Sequence, residues 1–340
     1  MRRRCTGALV GLLLAAAAGA EELFDLKKVA DGVYAAIARP QAVINCNAAV
    51  VVLDDGVLVV DTHSKPSAAR ALMAQIRTIS DKPVRYVVDT HFHWDHYQGN
   101  EAYPSSWPAG LEIIASQPTR EAIESRGIPR VKHEIVTVPR QLERLRGELA
   151  RATAEDRKRL QDEIAQREAY LGELRAMQVT LPSMTFDRSL VLYRKTRTVQ
   201  ILWLGKGHTD GDVVVYLPAE KVIATGDLLH GWMPYMADSH PYDWIRTLEA
   251  AAALDFDQVI PGHGDVQAGK DRFRLWGRYF RDLMREAGEA YARGDTRAEA
   301  REKVAAALRP VYAAAFGERF DQSIAGNVDK AYRTVGGVVD

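Results

Sequence analysis

Residues 91–96 read HFHWDH, so three of the chain's nine histidines and one aspartate fall within six positions. The preceding run, VRYVVDT (84–90), is β-branched and apolar, which predicts a buried strand. In an extended segment, residues two apart point the same way. His91 and His93 therefore project together, as two imidazoles on one metal ion would. Asp95 and His96 follow where the chain must turn, and a carboxylate and an imidazole there could serve a second ion. Gly99 and Asn100 give the loop freedom to bend. Neutral imidazole and carboxylate are the ligands zinc takes where no thiolate is offered. The opposing reading is a solvated loop of satisfied polar groups, and the order of strand, histidine pair and turn argues against it.

A metal centre needs more than one loop. His208 lies in LGKGHTDGD, just past the apolar run VQILWL. His263 lies in IPGHGD, just past FDQVI, and Asp227 lies in IATGDLL, again straight after an apolar run. Each taken alone reads as readily as a turn residue or a helix cap. Together with 91–96 they form four strand-end loops carrying His and Asp, and such loops converge at one edge of a sheet.

The elements that must position them alternate along the chain. GVYAAIA, NAAVVVLDDGVLVVDT and VRYVVDT read as strands, with DDG (54–56) as a hairpin turn. SAARALMAQIRTIS has helical periodicity, EIIASQPTREAIESRG reads as strand then helix, and HEIVTVP (133–139) as another strand. A second half begins near Met184. SLVLYRKTRTVQILWLG, DVVVYLPAEKVIATGD and FDQVIPGHG supply its strands, with YDWIRTLEAAAAL as a helix between the last two. Hairpins mixed with strand–helix–strand units imply sheets with helices outside. Residues 139–178, rich in Arg and Glu with leucine stripes, predict an inserted helical hairpin, with Thr153 and Asp156 as its internal cap. Residues 271–340 predict a mostly helical extension.

Composition narrows the classes of function. Lys+Arg and Asp+Glu both number 45, so no basic excess points to nucleic acid or to an anionic membrane. MRRRCTGALVGLLLAAAAGA has the layout of an export signal cleaved after Ala20, too short in its apolar part to span a bilayer. The expected mature chain is residues 21–340, periplasmic or secreted and without a stable membrane anchor. Cleavage removes Cys5 and leaves Cys46 alone, so no intramolecular disulfide is expected. Cys46, in VINCNAAVVV, reads as a small buried residue on a strand.

HFHWDH, GHTDGD, the GD at 226–227 and PGHG, in this order, resemble the motifs of the metallo-β-lactamase superfamily. The resemblance covers residues 25–135 and 180–270. It implies an α/β fold, a four-layer αβ/βα sandwich, here with the 139–178 insert. It implies two zinc ions per chain, one held by His91, His93 and His208, the other by Asp95, His96 and His263, with Asp227 bridging them. Asp61 matches a family carboxylate that supports the motif loop, while His63 is open between the rim of the site and the surface. The implied chemistry is hydrolysis by a hydroxide between the ions, with Asp95 as catalytic proton acceptor or shuttle.

The implied substrate is a small cyclic or activated acyl compound: a lactone, thioester, ester or β-lactam. An aspartate at the bridging position is similar to glyoxalase II-like thioesterases and lactonases, whereas zinc β-lactamases usually have Cys or Ser there. Export argues against the cytosolic thioester. The segment 227–244, with Trp232, Tyr235, Met236 and His240, reads either as a substrate groove or as a loop packed on the insert. Two alternatives stay open. One is a mononuclear iron enzyme resembling persulfide dioxygenases. The other is a non-catalytic metal-binding protein with the 139–178 insert as a docking or oligomer contact.

Overall fold

The computed structural model describes residues 23–39 and 46–337, so the expected export signal at 1–20 lies outside the described residues. The first sheet runs in the order β1 (Phe24–Ala30), β2 (Val33–Ala38), β3 (Ala48–Val52), β4 (Val57–Val60), β5 (Val84–Val88), β6 (Glu112–Ser116), β7 (Met184–Phe186). β1 to β4 pair antiparallel, and β4 to β7 pair parallel. The second sheet runs β13 (Gln267–Ala268), β12 (Gln258–Pro261), β11 (Val222–Gly226), β10 (Val213–Leu217), β9 (Thr198–Trp203), β8 (Ser189–Tyr193). Its β8 to β11 are antiparallel, and β11 pairs with β12 in parallel.

Period-two alternation explains why the sheets stack. In β4, Leu58 and Val60 face the second sheet while Val57 and Val59 face a helix. In β10, Val213 and Val215 face the first sheet while Val214 and Tyr216 face the other way. The inter-sheet core joins Val51, Leu58, Val60 and Val88 to Val199, Ile201, Val215 and Ile260. On the outer face of the first sheet, α1 (Pro66–Ile79) buries Ala69, Leu72 and Ile76. Two short helices, α2 (Trp94–Tyr97) and α3 (Ala102–Ser106), follow β5. On the outer face of the second sheet lie α7 (Pro241–Ala253) and α8 (Asp271–Ala292), backed by α9 (Arg297–Phe316) and α10 (Glu318–Val335). The result is the expected four-layer sandwich. Among the described residues, no helix is long and apolar enough to cross a membrane.

The insert differs from expectation at its start. After β6 come α4 (Gln117–Ala122), a π-helical turn (Ile123–Gly127), α5 (Ile128–Leu149) and α6 (Ala154–Ala176). HEIVTVP is therefore helix, not strand. Its β-branched residues favour extended chain locally, but Val138 continues the stripe of Leu142 and Leu145 against Leu160, Ile164 and Leu171. Burial of that seam outweighs the propensity and the Pro139 within α5. Met184–Phe186, expected to open the second half, instead forms the edge of the first sheet. Thr153 caps α6 as its spacing predicts, accepting from Asp156 N at 3.3 Å. The hairpin is also tied to the sandwich. Glu173 accepts from Ser67 N at 2.8 Å and from Ser67 Oγ at 2.6 Å, at the start of α1.

Candidate metal centre

The site sits where β5, β9, β11 and β12 end. β5 stops at Val88, and the chain passes through Asp89 and Thr90 to His91 and His93, with Asp95 and His96 on the first turn of α2. Asp61, just past β4, holds this loop. Its carboxylate accepts from Thr90 N at 2.8 Å, Thr90 Oγ1 at 2.9 Å and His96 Nδ1 at 2.8 Å. Asp61 and His63 adopt left-handed backbone, with φ of 62° and 71°. Such non-glycine conformations persist where the surroundings over-determine them, often at functional sites.

Each remaining loop has its own clamp. In GHTDGD, Asp212 accepts from Thr209 N at 2.8 Å and from Thr209 Oγ1 at 2.6 Å, and its burial pushes its pKa up to about 7. The PGHG turn is stapled by Asn47, which donates to Pro261 O at 2.9 Å and to Gly264 O at 2.7 Å. Gly262 leaves room for Asp227, since a Cβ there would stand 2.1 Å from Asp227 Oδ1. Gly99 serves close approach more than flexibility, because its Cβ would fall 1.9 Å from the carbonyl oxygen of Thr62. Gly99→Ala is expected to lower stability by about 2–4 kcal/mol, since backbone rather than a flexible side chain must move. Urea unfolding checks this, and a loss below about 0.5 kcal/mol would contradict it.

These clamps bring all seven expected ligands together. One nitrogen each from His91, His93 and His208 lie within 4.8 Å of one another, as do atoms of His91, His96 and Asp227, and of Asp95, His96 and His263. His93 Nδ1 and His208 Nε2 are 2.8 Å apart. His208 Nδ1 donates to Tyr235 O at 3.1 Å, which turns its Nε2 towards the cluster. Asp227 Oδ1 lies 3.2 Å from His263 Nε2 and 3.5 Å from His96 Nε2, and Oδ2 lies 3.6 Å from His208 Nε2. Asp227 thus stands between the two groups of histidines.

The electrostatics suit cations. Burial, with neighbouring imidazoles, holds His91 and His208 well below the usual histidine range, so both are neutral lone-pair donors. Burial opposes charge on His96, but Asp61, Asp95 and Asp227 outweigh it and push its pKa up to about 10. Burial likewise opposes ionisation of Asp227, and His263 and His96 reverse it, holding the carboxyl well below its ordinary value. His91 Nε2 and His96 Nε2 are buried atoms without a hydrogen-bond partner. Buried groups of this kind carry a large cost unless something satisfies them. A donor set of imidazole and carboxylate aimed at shared points fits zinc.

The cluster opens into a cleft of about 400 Å³, lined among others by Phe92, Trp94, Arg126, Arg130, His230, Trp232, Tyr235 and Asp238. Sequence reasoning missed Arg126, Arg130, Asp238 and His230. Asp238 accepts from His93 Nε2 at 2.9 Å and pairs with Arg126. Arg126 also lies over the Phe92 ring, 4.3 Å from its centroid, and Arg130 over Trp94 at 5.3 Å. The arginines arrive on the π-helical turn and the first turn of α5. His230 is fully buried against Trp276, with a pKa lowered by burial to about 3.

Other expectations need correction. Met236 is buried in the core rather than in the cleft, while His240 lines a neighbouring cavity and pairs with Asp210. His63 is on neither rim nor surface: it is buried, stacked on Phe24 at 4.2 Å, and donates from Nδ1 to Cys46 O at 3.0 Å. Cys46 is buried as expected but precedes β3 instead of lying on a strand, and its thiol donates to Asp95 O at 2.7 Å.

Residues 42–263 match the sequence profile of the Metallo-beta-lactamase superfamily. The chain belongs to this superfamily. Among relatives of this superfamily member is a linear primary-alkylsulfatase from a Pseudomonas species, 27% identical over 245 residues, covering 68% of this chain. The chain spans less than half of that relative, 43% of its length. A type 2 metallo-beta-lactamase from Bacillus cereus is 31% identical over 74 residues, covering 20% of this chain and 29% of its own. A metallo-beta-lactamase structure from Pontibacter korlensis superposes with a TM-score of 0.55 at 17% identity, over 76% of this chain and 99% of its own. That of FIM-1 from Pseudomonas aeruginosa gives 0.53 at 18%, over 76% and 95%. These superpositions show the fold. The family match and the clustered histidines and aspartates together give this superfamily member a candidate metal centre.

Proposed function

We propose that this protein is an exported hydrolase that binds two zinc ions and cleaves a small ester whose reacting end carries an anionic group. Alkyl sulfate esters are the first class, in line with the alkylsulfatase likeness. The observation that carries the reading is the pair Arg126 and Arg130 on the wall of the cleft that the ligand cluster opens into. Each guanidinium already meets one carboxylate, Asp238 and Glu134 respectively. Five donors per guanidinium leave N–H groups for a substrate oxyanion. Acyl substrates such as lactones and thioesters remain the second reading, favoured by a carboxylate, Asp227, between the two ligand groups.

His91, His93 and His208 would hold one ion, and Asp95, His96 and His263 the other, with Asp227 touching both. Zinc, when bound, supplies Lewis acidity and ionises water near neutral pH. The chain's own residues do the rest. Arg126 and Arg130 orient the anion. Phe92, Trp94 and Trp232 would give the substrate apolar walls. Asp95, with Oδ2 3.5 Å from His263 Nε2, would take a proton and return it to the leaving oxygen.

The test uses residues 21–340 loaded with zinc and a panel of alkyl sulfates, lactones, thioesters, carboxylic esters and β-lactams. Release of sulfate from an alkyl sulfate supports the first reading, and acyl turnover alone supports the second. Absence of any turnover, or oxygen uptake by an iron-loaded form in its place, defeats both. Removing metal with a chelator is expected to cost at least about 100-fold in turnover, restored by zinc.

A further inference from the structure

A second cavity, of about 480 Å³, lies between α5 and α6 beside the metal cleft. Trp94 lines both. Val138 and Tyr170 also line the groove, with the Trp94 and Tyr170 ring centroids 6.0 Å apart. The hairpin's own seam of Leu142, Leu145, Leu160, Ile164 and Leu171 continues from the groove through Val138, which belongs to both.

Among its polar lining residues, Glu134, Gln141, Glu163, Arg167 and Tyr170 already have partners. Arg167 donates to Glu163 Oε1 at 3.0 Å and to Gln141 Oε1 at 2.8 Å. Tyr170 Oη lies 3.1 Å from both Gln98 Oε1 and Glu134 Oε2, and Glu134 pairs with Arg130. A sugar or peptide would have to break these bonds. What the groove offers without that cost is the apolar surface of Trp94, Tyr170 and Val138. One wall spans both spaces. Arg126 and Arg130 stand at the metal end, and Thr137, Val138 and Gln141 stand in the groove, so Arg130 and Gln141 are about 16 Å apart along α5. Cations followed by the surface of Trp94, Tyr170 and Val138, set among paired polar groups, match a molecule with an anionic head and an unbranched tail.

We propose that the groove between α5 and α6 is a subsite for the unbranched apolar tail of the substrate, whose anionic head lies at Arg126 and Arg130. This rests on the reading of an anionic substrate given above. The consequence is selection by length: short and long substrates share the head site, and only long ones reach past Trp94.

Binding of unreactive alkylphosphonates to the zinc-loaded chain tests this without turnover. Methyl-, butyl- and decylphosphonate are titrated calorimetrically, at concentrations where none aggregates. Affinity should rise at least about tenfold from butyl to decyl, since one fully buried methylene is worth roughly fourfold. Thr137→Trp, which fills the groove, should abolish that rise and leave methylphosphonate affinity and zinc content unchanged. Gln141→Trp gives the same test should Thr137→Trp not fold. If methylphosphonate binds but affinity ignores tail length, the tail subsite is refuted while the anionic-head reading stands. If no phosphonate binds, both are refuted. A length dependence that survives in a folded groove variant places the tail elsewhere and also refutes the subsite.

Discussion

Replacing Asp227 by alanine is expected to remove one metal ion and to cut turnover at least about 100-fold, with the chain still folded. Loss of a mere hydrogen-bond partner of a ligand costs 10–100-fold, and Asp227 is placed as a ligand itself. Its two oxygens reach towards His263 and His96 on one side and His208 on the other. Two dications held by these ligands would repel strongly in a poorly screened cleft, and a carboxylate between them would offset part of that. Alanine keeps the backbone after Gly226, and the space beside Gly262 needs no rearrangement. His263→Ala should lose the second ion in the same way, without disturbing His91, His93 and His208. Metal content, circular dichroism and hydrolysis are measured on both variants. Full occupancy and near-normal rates in Asp227→Ala would reduce this carboxylate to a turn cap.

Asp61→Ala should damage the fold as well as the site. Asp61 is buried and accepts from three donors, two on Thr90 and one on His96. Alanine leaves all three without an acceptor, and a buried pair broken from one side costs about 3–5 kcal/mol. The left-handed backbone at this position adds strain for alanine. His96 would lose the bond that turns its Nε2 towards Asp95, Asp227 and His263, so zinc affinity should fall about 10–100-fold. Asparagine tolerates the backbone and keeps one acceptor, but its amide N–H₂ meets a donor. Asp61→Asn should therefore lie between the two. Urea unfolding and zinc competition with a chromophoric chelator measure both losses. Wild-type stability and zinc affinity in Asp61→Ala would show that neither the loop nor His96 depends on this carboxylate.

Much of the centre was readable because its information is local. Two histidines two apart after a β-branched run would point together in extended chain, and here they converge although the chain bends at 91–92 beyond the end of β5. Gly–His–Gly after an apolar run marks a strand end, and strand ends gather at sheet edges. The hairpin announced itself through leucines at helical spacing and the cap at Thr153. The proposal of export rests on the composition of residues 1–20, which lie outside the described residues.

Tertiary structure decided what local pattern leaves degenerate. HEIVTVP satisfies strand propensity, and becomes helix because Val138 joins a seam formed by residues of α6, more than twenty positions away. Arg126 and Arg130 look like any solvated arginines until the π-helical turn directs them at Phe92 and Trp94. Asp238 gains meaning only when the loop after β11 sets it against His93. His63 and His230 are equally plain as single letters, and their burial follows from which layers close over them. Spacing along a chain determines direction within one element. Burial, pairing and the walls of a cleft depend on which elements meet, and that is settled by the summed packing of two sheets and their helices.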